Sequence, residues 1–528
     1  MSRFQRAIHG IASSYVLLAA TAVYSLASVP VALHYLDQDR FALWVLMGTL
    51  AGYLTLIDAG MTGAAARLLI DYKDDRNGGS YGSLIKTGWL VSLVQAAIIF
   101  LTGQIFARTL AELPSIPVAL RAEFISLVNW QCVALALSFA TRMFNLVLCA
   151  HQRMDWVNYV GVVSLLINFA VQWVLFHFGF GVLSLAGGSL VATVVAIVCQ
   201  RLACDRLKLF PQPGGWGRFS WLHFKELFNF GKDLFLINVG NQLILASQTI
   251  IITGLLNLGQ AALWSIGLRV FNLLSQIVWR ISDMSGNALA EMLVRGELTR
   301  LRERYRNVAI LSFSFAGWVA VSFAACNSLF ITLWLHNKVQ WPAGNNWLLA
   351  VWLIISAIVH CHINFVLMTK QIGFTRYIYF LEGLVFVGLA CLVTRWGGLP
   401  AIIGCSIICS TVFSGAYGVW RVSRFFGLPF REIAWGWLRP MSLMLLLYLP
   451  VAVLAVWLPV SLPVILRLGI NVALASSVGI ALFLRYGLPV SIQNDLLDRV
   501  PDWSMAILKR LFITTTVRLP LPEQTKQP

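Results

Sequence analysis

Residues 35–44 read YLDQDRFALW, and residues 255–264 read LLNLGQAALW. Further along, FNLVLCAHQ at 144–152 returns as INFVLMTKQ at 363–371, so Asn145, Val147, Leu148 and Gln152 recur as Asn364, Val366, Leu367 and Gln371. GGS near 187 is matched by GCS near 404. The offset stays between 217 and 220 residues throughout. Gln, Asn and Trp recur together with apolar residues, which argues against chance. A repeat of this length is a duplicated bundle of helices.

Composition sets the class. The 528 residues are 59% apolar and 12% charged, with a mean hydropathy of +0.77. Apolar runs long enough to cross roughly 30 Å of hydrocarbon follow one another along the chain. Fourteen spans are read, at 11–36, 41–66, 84–108, 122–149, 157–177, 182–203, 230–256, 262–292, 306–333, 346–369, 377–395, 399–420, 440–459 and 464–484. The fold class is therefore an all-α polytopic membrane protein of about 14 transmembrane helices. Two six-helix lobes in parallel repeat occupy 1–203 and 230–423. Residues 204–229 are a cytoplasmic linker with an interfacial helix at FSWLHFKELF, 424–484 carry an extra helix pair, and 485–528 form a cytoplasmic tail with a second surface helix.

The net charge of +17 follows the membrane. With the N-terminus inside, inner loops, tails and helix ends hold about thirty of the 39 basic residues. Both termini are then expected in the cytoplasm of a bacterial inner (plasma) membrane. Anionic inner-leaflet lipid accounts for the bias, and no nucleic acid is implied. The N-terminal apolar run is too long for a cleaved signal core and reads as an uncleaved first helix. The nine cysteines lie almost all within or at the ends of apolar spans, as small packing residues, implying neither disulfides nor metal. No Walker loop, HExxH or GxSxG occurs, and the outer loops are short, so the chain is read as no enzyme and without cofactors.

The second span, FALWVLMGTLAGYLTLIDAGMTGAAARLL, resembles that of the polysaccharide-transport (O-antigen flippase type) family of the multidrug/oligosaccharidyl-lipid/polysaccharide exporter superfamily. Tyr35-Leu36, Phe41-Ala42-Leu43-Trp44, Asp58-Ala59-Gly60 and Arg67 carry the resemblance, which covers about residues 10–425. It implies a flippase that moves a polyprenyl-diphosphate-linked oligosaccharide from the inner to the outer leaflet by alternating access. The implied partners are that lipid-linked sugar, the bilayer, and a polysaccharide polymerase and glycosyltransferases. Many sugar-unit flippases have twelve spans and the lipid II flippases of peptidoglycan synthesis fourteen, so a lipid II flippase is the alternative. An ion-coupled multidrug exporter of the same superfamily is the other. Such exporters commonly carry a key acid in the first or seventh helix; here the first span has none and the seventh only Asp233 beside Lys232.

Independently of the family, charge inside the spans points to an anionic substrate. A charged side chain within a span faces a cavity or a partner, because burying it in lipid costs several kcal/mol. Arg142 lies in the fourth span, and Arg269 and Arg280 lie in the eighth. Helical geometry puts Arg269 and Arg280 within ~20° of one face and ~16 Å apart. Paired guanidinium donors suit phosphate. Two structural readings compete: Asp283 stands three residues after Arg280, an ion-pair spacing, and Arg142 could snorkel to the interface. Asn238, Asn241, Gln242 and Gln248 share an arc of the seventh span, and Ser14, Thr21, Tyr24, Ser25 and Ser28 line the first. These groups suit sugar hydroxyls or helix–helix hydrogen bonds equally. Asp58 and Glu382 are acids within spans, read as ion-coupling or ion-pair residues, as is Asp283. Asp58 is expected to pair with Arg142 or another base rather than to carry an ion. His360 and His362 point to different sides of one helix, poorly placed to share a metal and better suited to packing or single cavity contacts.

Overall fold

The computed structural model describes residues 3–73, 75, 79–113, 116–151, 153–369, 373–457 and 462–497. Gln152 and Gln371 of the repeat, and the tail from residue 498 with most of its expected surface helix, lie outside them. Among the described residues the chain is helical, with no strand. Inside a bilayer each backbone polar group must be satisfied within its own segment, and these apolar runs do so as helices.

The helices are α1 (Arg3–Tyr35), α2 (Gln38–Leu54), α3 (Met61–Tyr72), α4 (Ser80–Ala111), α5 (Val118–Thr141), α6 (Met143–Ala150), α7 (Met154–His177), α8 (Leu183–Arg206), α9 (Trp221–Leu245) and α10 (Ser247–Leu255). They continue with α11 (Leu258–Val294), α12 (Leu298–Trp334), α13 (Ala343–Met368), α14 (Thr375–Ser410), α15 (Ala416–Phe426), α16 (Arg439–Val456), α17 (Val464–Leu474), α18 (Ile480–Leu482) and α19 (Val490–Leu497). Among the described residues, thirteen helical stretches are long and apolar enough to cross a membrane. One of them, Thr375–Phe426, is 52 residues long and contains both the eleventh and the twelfth expected span. It breaks at Gly398 (φ 59, ψ −147), with Pro400 just beyond. That break reconciles thirteen stretches with about fourteen passes. The expected interfacial helix at FSWLHFKELF is not a separate element. It forms the first turns of α9, because nothing between Phe228 and Phe235 breaks the helix.

The chain divides into two compact units: residues 1–273, 331–348 and 371–417, and residues 274–330, 349–370 and 418–528. In the first unit, α3, α4, α6 and α8 share a core that includes Leu69, Tyr81, Leu84, Met143 and Val147. The loop after α8 closes one end of it. Trp216 stacks on Trp89 with centroids 6.1 Å apart, Arg201 lies 4.7 Å over Phe210, and the Tyr81 hydroxyl donates to the Leu209 carbonyl at 3.1 Å. Elsewhere glycine lets backbones touch, the usual way helices approach closely in lipid. A Cβ on Gly240 would lie 2.2 Å from the Tyr379 carbonyl oxygen, so α9 and α14 meet there backbone to backbone.

In the second unit, α12 packs against α13, α15 and the C-terminal helices. Its core contains Leu301, Tyr305, Phe313, Cys361, Phe365, Val422 and Trp437. The C-terminal pair docks along α12. The Trp318 indole donates to the Ala475 carbonyl at 3.1 Å, Asn471 donates to the Ala325 carbonyl at 2.9 Å, and the hydroxyls of Ser322 and Tyr448 are 2.9 Å apart.

A second close approach in the first unit, at a left-handed glycine, yields a test. Gly60 has φ 73, and a Cβ there would sit 2.3 Å from the Gly231 carbonyl oxygen. Gly60→Ala is expected to destabilise the protein by roughly 2 kcal/mol or more, from left-handed strain and forced separation of α3 from α9. Gly48→Ala, which meets nothing within 4 Å, is expected to be neutral or slightly stabilising. Thermal unfolding of the detergent-purified variants checks both.

Candidate functional site

The helix break after α2 organises the polar interior of the first unit. The chain leaves α2 through a single 3₁₀ turn, Thr55–Asp58, then passes through left-handed Ala59 (φ 51) and Gly60 before α3 starts. Such a break orphans carbonyls at one helix end and amides at the next. Both sets find partners. Gln95 of α4 donates to the carbonyls of Ile57 at 2.9 Å and Asp58 at 3.0 Å. The Asp58 carboxylate accepts from the Thr62 amide at 3.1 Å and its hydroxyl at 2.6 Å, capping α3.

Arg142, at the joint of α5 and α6, completes this network. Its guanidinium donates to the Asp58 carboxylate and to the Gln95 side-chain oxygen, to the Thr62 hydroxyl at 2.7 Å and to the Ser92 hydroxyl at 3.0 Å. The side chains of Arg142 and Asp58 are 13% and 18% exposed, so the pair is largely withdrawn from solvent. Arg142 and Asp58 are thus brought together, and α2, α3, α4 and the α5–α6 joint are tied at one point.

Beside the break opens a cleft of about 130 Å³, lined by Thr55, Asp58 and Gly60 and by Phe235, Asn238, Asn241 and Gln242 of α9. The three amides therefore share one wall with Asp58. Next to it, the hydroxyls of Tyr53 and Ser247 are 2.5 Å apart. Gln248 turns instead to α14, donating to the Ser406 hydroxyl at 3.1 Å.

Arg269 of α11 has a different setting. The Tyr24 hydroxyl of α1 lies within electrostatic reach of it. That hydroxyl accepts from Asn168 at 3.2 Å and from Gln172 at 3.1 Å, while Gln172 also donates to Asn168 at 2.7 Å. With its lone pairs taken, Tyr24 keeps an O–H to donate. Arg269 Nε is buried and has no acceptor among the described residues. The group presents donors and a positive charge, with no acid paired to Arg269 among the described residues. The other polar residues of α1 mostly serve packing: Asn158 of α7 donates to the Ser13 hydroxyl at 2.9 Å, and Thr21 and Ser28 bond back to their own helix.

Glu382 of α14 is 1% exposed. Its carboxylate accepts from the Ser410 hydroxyl at 2.9 Å and the Ser414 amide at 3.1 Å. The wide π-helical turn Thr411–Gly415 sits at this point. Among the described residues Glu382 has no basic partner, and it is not brought to the Arg142 network.

The second unit holds Arg280 and Asp283. Arg280 is exposed and forms no ion pair among the described residues. Asp283 bonds away from it: one carboxylate oxygen accepts from His360 Nε2 at 2.8 Å and from the Asn364 amide at 2.7 Å. The Trp279 ring stacks on His360, with centroids 4.6 Å apart. His362 faces the other side of α13, 2.7 Å from the Tyr305 hydroxyl. Gln95, Thr62, Asn168, Gln172 and the His360–Asp283 pair do not emerge from sequence reasoning. The usable signal was an amide on an otherwise apolar helix, and for Asn168 and Gln172 a four-residue spacing.

Comparison with known proteins now places the chain. The family of polysaccharide biosynthesis proteins matches residues 65–342, more than half of the length, and the chain belongs to it. The lipid II flippase MurJ in an inward closed conformation superposes with a TM-score of 0.67 at 9% identity, over 90% of this chain and 98% of that one. An inward-facing multidrug resistance MATE transporter of the MOP superfamily gives 0.63 at 13% identity, over 77% and 95%. A MOP superfamily transporter from Pyrococcus furiosus gives 0.52 at 14% identity, over 79% and 94%. At such identities these likenesses establish the fold, that of the MOP-superfamily transporters. A sequence search of curated proteins finds no match.

The Arg142 network predicts a folding phenotype. Arg142→Ala leaves Asp58 as an uncompensated buried charge and is expected to cost roughly 3–5 kcal/mol. Replacing both partners, Arg142→Gln with Asp58→Asn, should recover a large part of it. Midpoints of thermal unfolding for the single and double variants measure the difference.

Proposed function

We propose that this protein is a flippase that carries a polyprenyl-diphosphate-linked oligosaccharide, the repeat unit of a surface polysaccharide, from the inner to the outer leaflet by alternating access. The observation that carries this reading is Arg269, a guanidinium within a membrane span that has no paired acid among the described residues and lies within electrostatic reach of the Tyr24 hydroxyl. An unanswered cation at that depth is stabilised by an anionic ligand, and a diphosphate supplies one with the oxygen geometry that guanidinium donors match. Arg280, on the same helix α11, is proposed as a second station for the phosphates. Asn238, Asn241 and Gln242 then meet the sugar hydroxyls. Arg142 contributes by holding the α2–α3 break against which that amide wall stands.

Membership in a polysaccharide biosynthesis family supports the glycan, and a fold shared with a lipid II flippase supports a lipid-linked cargo. Lipid II itself is the competing cargo. The bilayer and the lipid-linked sugar are the proposed partners, with a polymerase and glycosyltransferases acting before and after. Transport draws on a gradient or on consumption of product, and no catalysis is assigned. The proposed setting is a bacterial inner membrane with both termini in the cytoplasm.

Deletion in the host should leave lipid-linked oligosaccharide on the inner face. Arg269→Ala should lower flipping about ten- to a hundred-fold, the worth of one charge-assisted hydrogen bond, at unchanged protein level. Arg269→Lys should rescue it in part, because it keeps the charge and loses the paired donors. Full surface-polysaccharide production by Arg269→Ala would contradict the reading, and accumulation of peptidoglycan precursor instead would favour lipid II. Orientation is checked by labelling a single cysteine at position 300 in intact cells: no labelling from outside is expected.

A further inference from the structure

The second unit contains a titratable pair that the proposed substrate site leaves unused. Asp283 stands in the span Leu258–Gly286 and His360 in the span Ala343–Met368. They tie α11 to α13 through a 2.8 Å hydrogen bond, with Asn364 donating to the same Asp283 oxygen at 2.7 Å. Asn364 Nδ2 also lies 2.9 Å from His360 Nε2. An ionised Asp283 can only accept, so Nε2 is assigned the hydrogen that it donates to the carboxylate, and Asn364 donates to Asp283. Nδ1, with no hydrogen-bond partner among the described residues, is the nitrogen left to take a proton. The His360 side chain is 26% exposed and that of Asp283 41%, so protein does not enclose the pair.

The sequence repeat sharpens the point. At the local offset of 219, Arg142 aligns with Cys361, the neighbour of His360. Asp58, at the local offset of 220, aligns with Val278, five residues before Asp283, so the two pairs share spans and not positions: each lobe carries an acid on its second span tied to a base on its fourth. In the first lobe the base is an arginine, charged at all working pH values. In the second it is a histidine, a side-chain type that can exist as a neutral or a protonated ring.

We propose that His360 is the proton-binding site that couples transport to a proton gradient, with Asp283 as its counter-charge; this rests on the transport function proposed above. The step is acid–base only. The Nδ1 lone pair takes a proton from hydronium in the adjoining water and releases a water molecule. The ring becomes an imidazolium, and the Nε2–H···Asp283 bond becomes an ion pair. Loss of the proton returns a neutral hydrogen bond, so the α11–α13 tie has two strengths.

The charged and titratable groups around the pair leave this reading intact. Arg280 on α11 is exposed one turn from Asp283, and Cys361 and His362 follow on α13. His362 is occupied by Tyr305 of α12, and α15, with Arg421 and Arg424, meets α13 on the His362 side through Gly418.

The test uses the full-length protein in proteoliposomes, with a fluorescent polyprenyl diphosphate as probe. Wild type is expected to change its flipping rate several-fold between about pH 6 and pH 8. His360→Arg, permanently charged, and His360→Gln, never charged, should each bind the probe as wild type does and vary less than about two-fold over that range. A second readout needs no substrate. Trp279 stacks on His360, and an imidazolium quenches an indole that a neutral ring does not. The pH-dependent part of the tryptophan fluorescence should vanish in both His360→Gln and Trp279→Phe. An unchanged pH profile of flipping in the His360 variants, or unchanged fluorescence titration, overturns the proposal. A wild type that moves no probe but keeps the His360-dependent fluorescence change would instead fault the cargo assignment and support proton binding at His360.

Discussion

A guanidinium held inside a membrane has to be answered by something, and the two arginines of the first unit are answered differently. Arg142 is met by Asp58, Gln95, Ser92 and Thr62, so its charge is spent inside the protein. Arg269 has the Tyr24 hydroxyl within electrostatic reach, itself free to donate, and no ion pair among the described residues. The same residue type is spent on internal partners in one place and has no acid paired to it among the described residues in the other, which is why Arg269 is the one proposed to receive an anion. Arg142 takes up Asp58, and no acid is paired to Arg269 among the described residues.

That division depends on broken helices. An unbroken second span would carry Asp58 on a helix wall with no orphaned backbone group near it. The left-handed Ala59–Gly60 pair turns the chain there, creates the carbonyls that Gln95 satisfies and lets α3 approach Gly231 of α9. The cleft bordered by Asn238, Asn241 and Gln242 opens beside this turn. The π-helical turn at Thr411–Gly415 works similarly for Glu382, presenting the Ser414 amide to a buried carboxylate. In lipid, irregular backbone is tolerated where protein groups complete its hydrogen bonds.

The helical membrane fold was legible in the chain, since apolar run length alone dictates it. The eleventh and twelfth spans, 377–395 and 399–420, were separable because Gly398 and Pro400 interrupt the run. The α2–α3 break was not, because Asp58-Ala59-Gly60 reads as three small or polar residues within a continuous apolar stretch. Of the site, the arginines stood out by charge and the amides of α9 by spacing. Their partners did not: Gln95 and Gln172 look like incidental polar residues until tertiary contacts show what they hold. Asp283 was paired by spacing with Arg280, yet it bonds to His360 and Asn364, 77 and 81 residues away, a choice only packing can make.

The central claim is that Arg269 is unpaired in order to receive phosphate. The most direct measurement is equilibrium binding of three lipids to the purified protein: a polyprenyl diphosphate, the corresponding monophosphate and the uncharged alcohol. The account predicts affinity falling in that order, with the advantage of the diphosphate over the alcohol collapsing in Arg269→Ala while that variant keeps wild-type thermal stability. Equal affinity for the three lipids, or a diphosphate preference that survives Arg269→Ala, would contradict it.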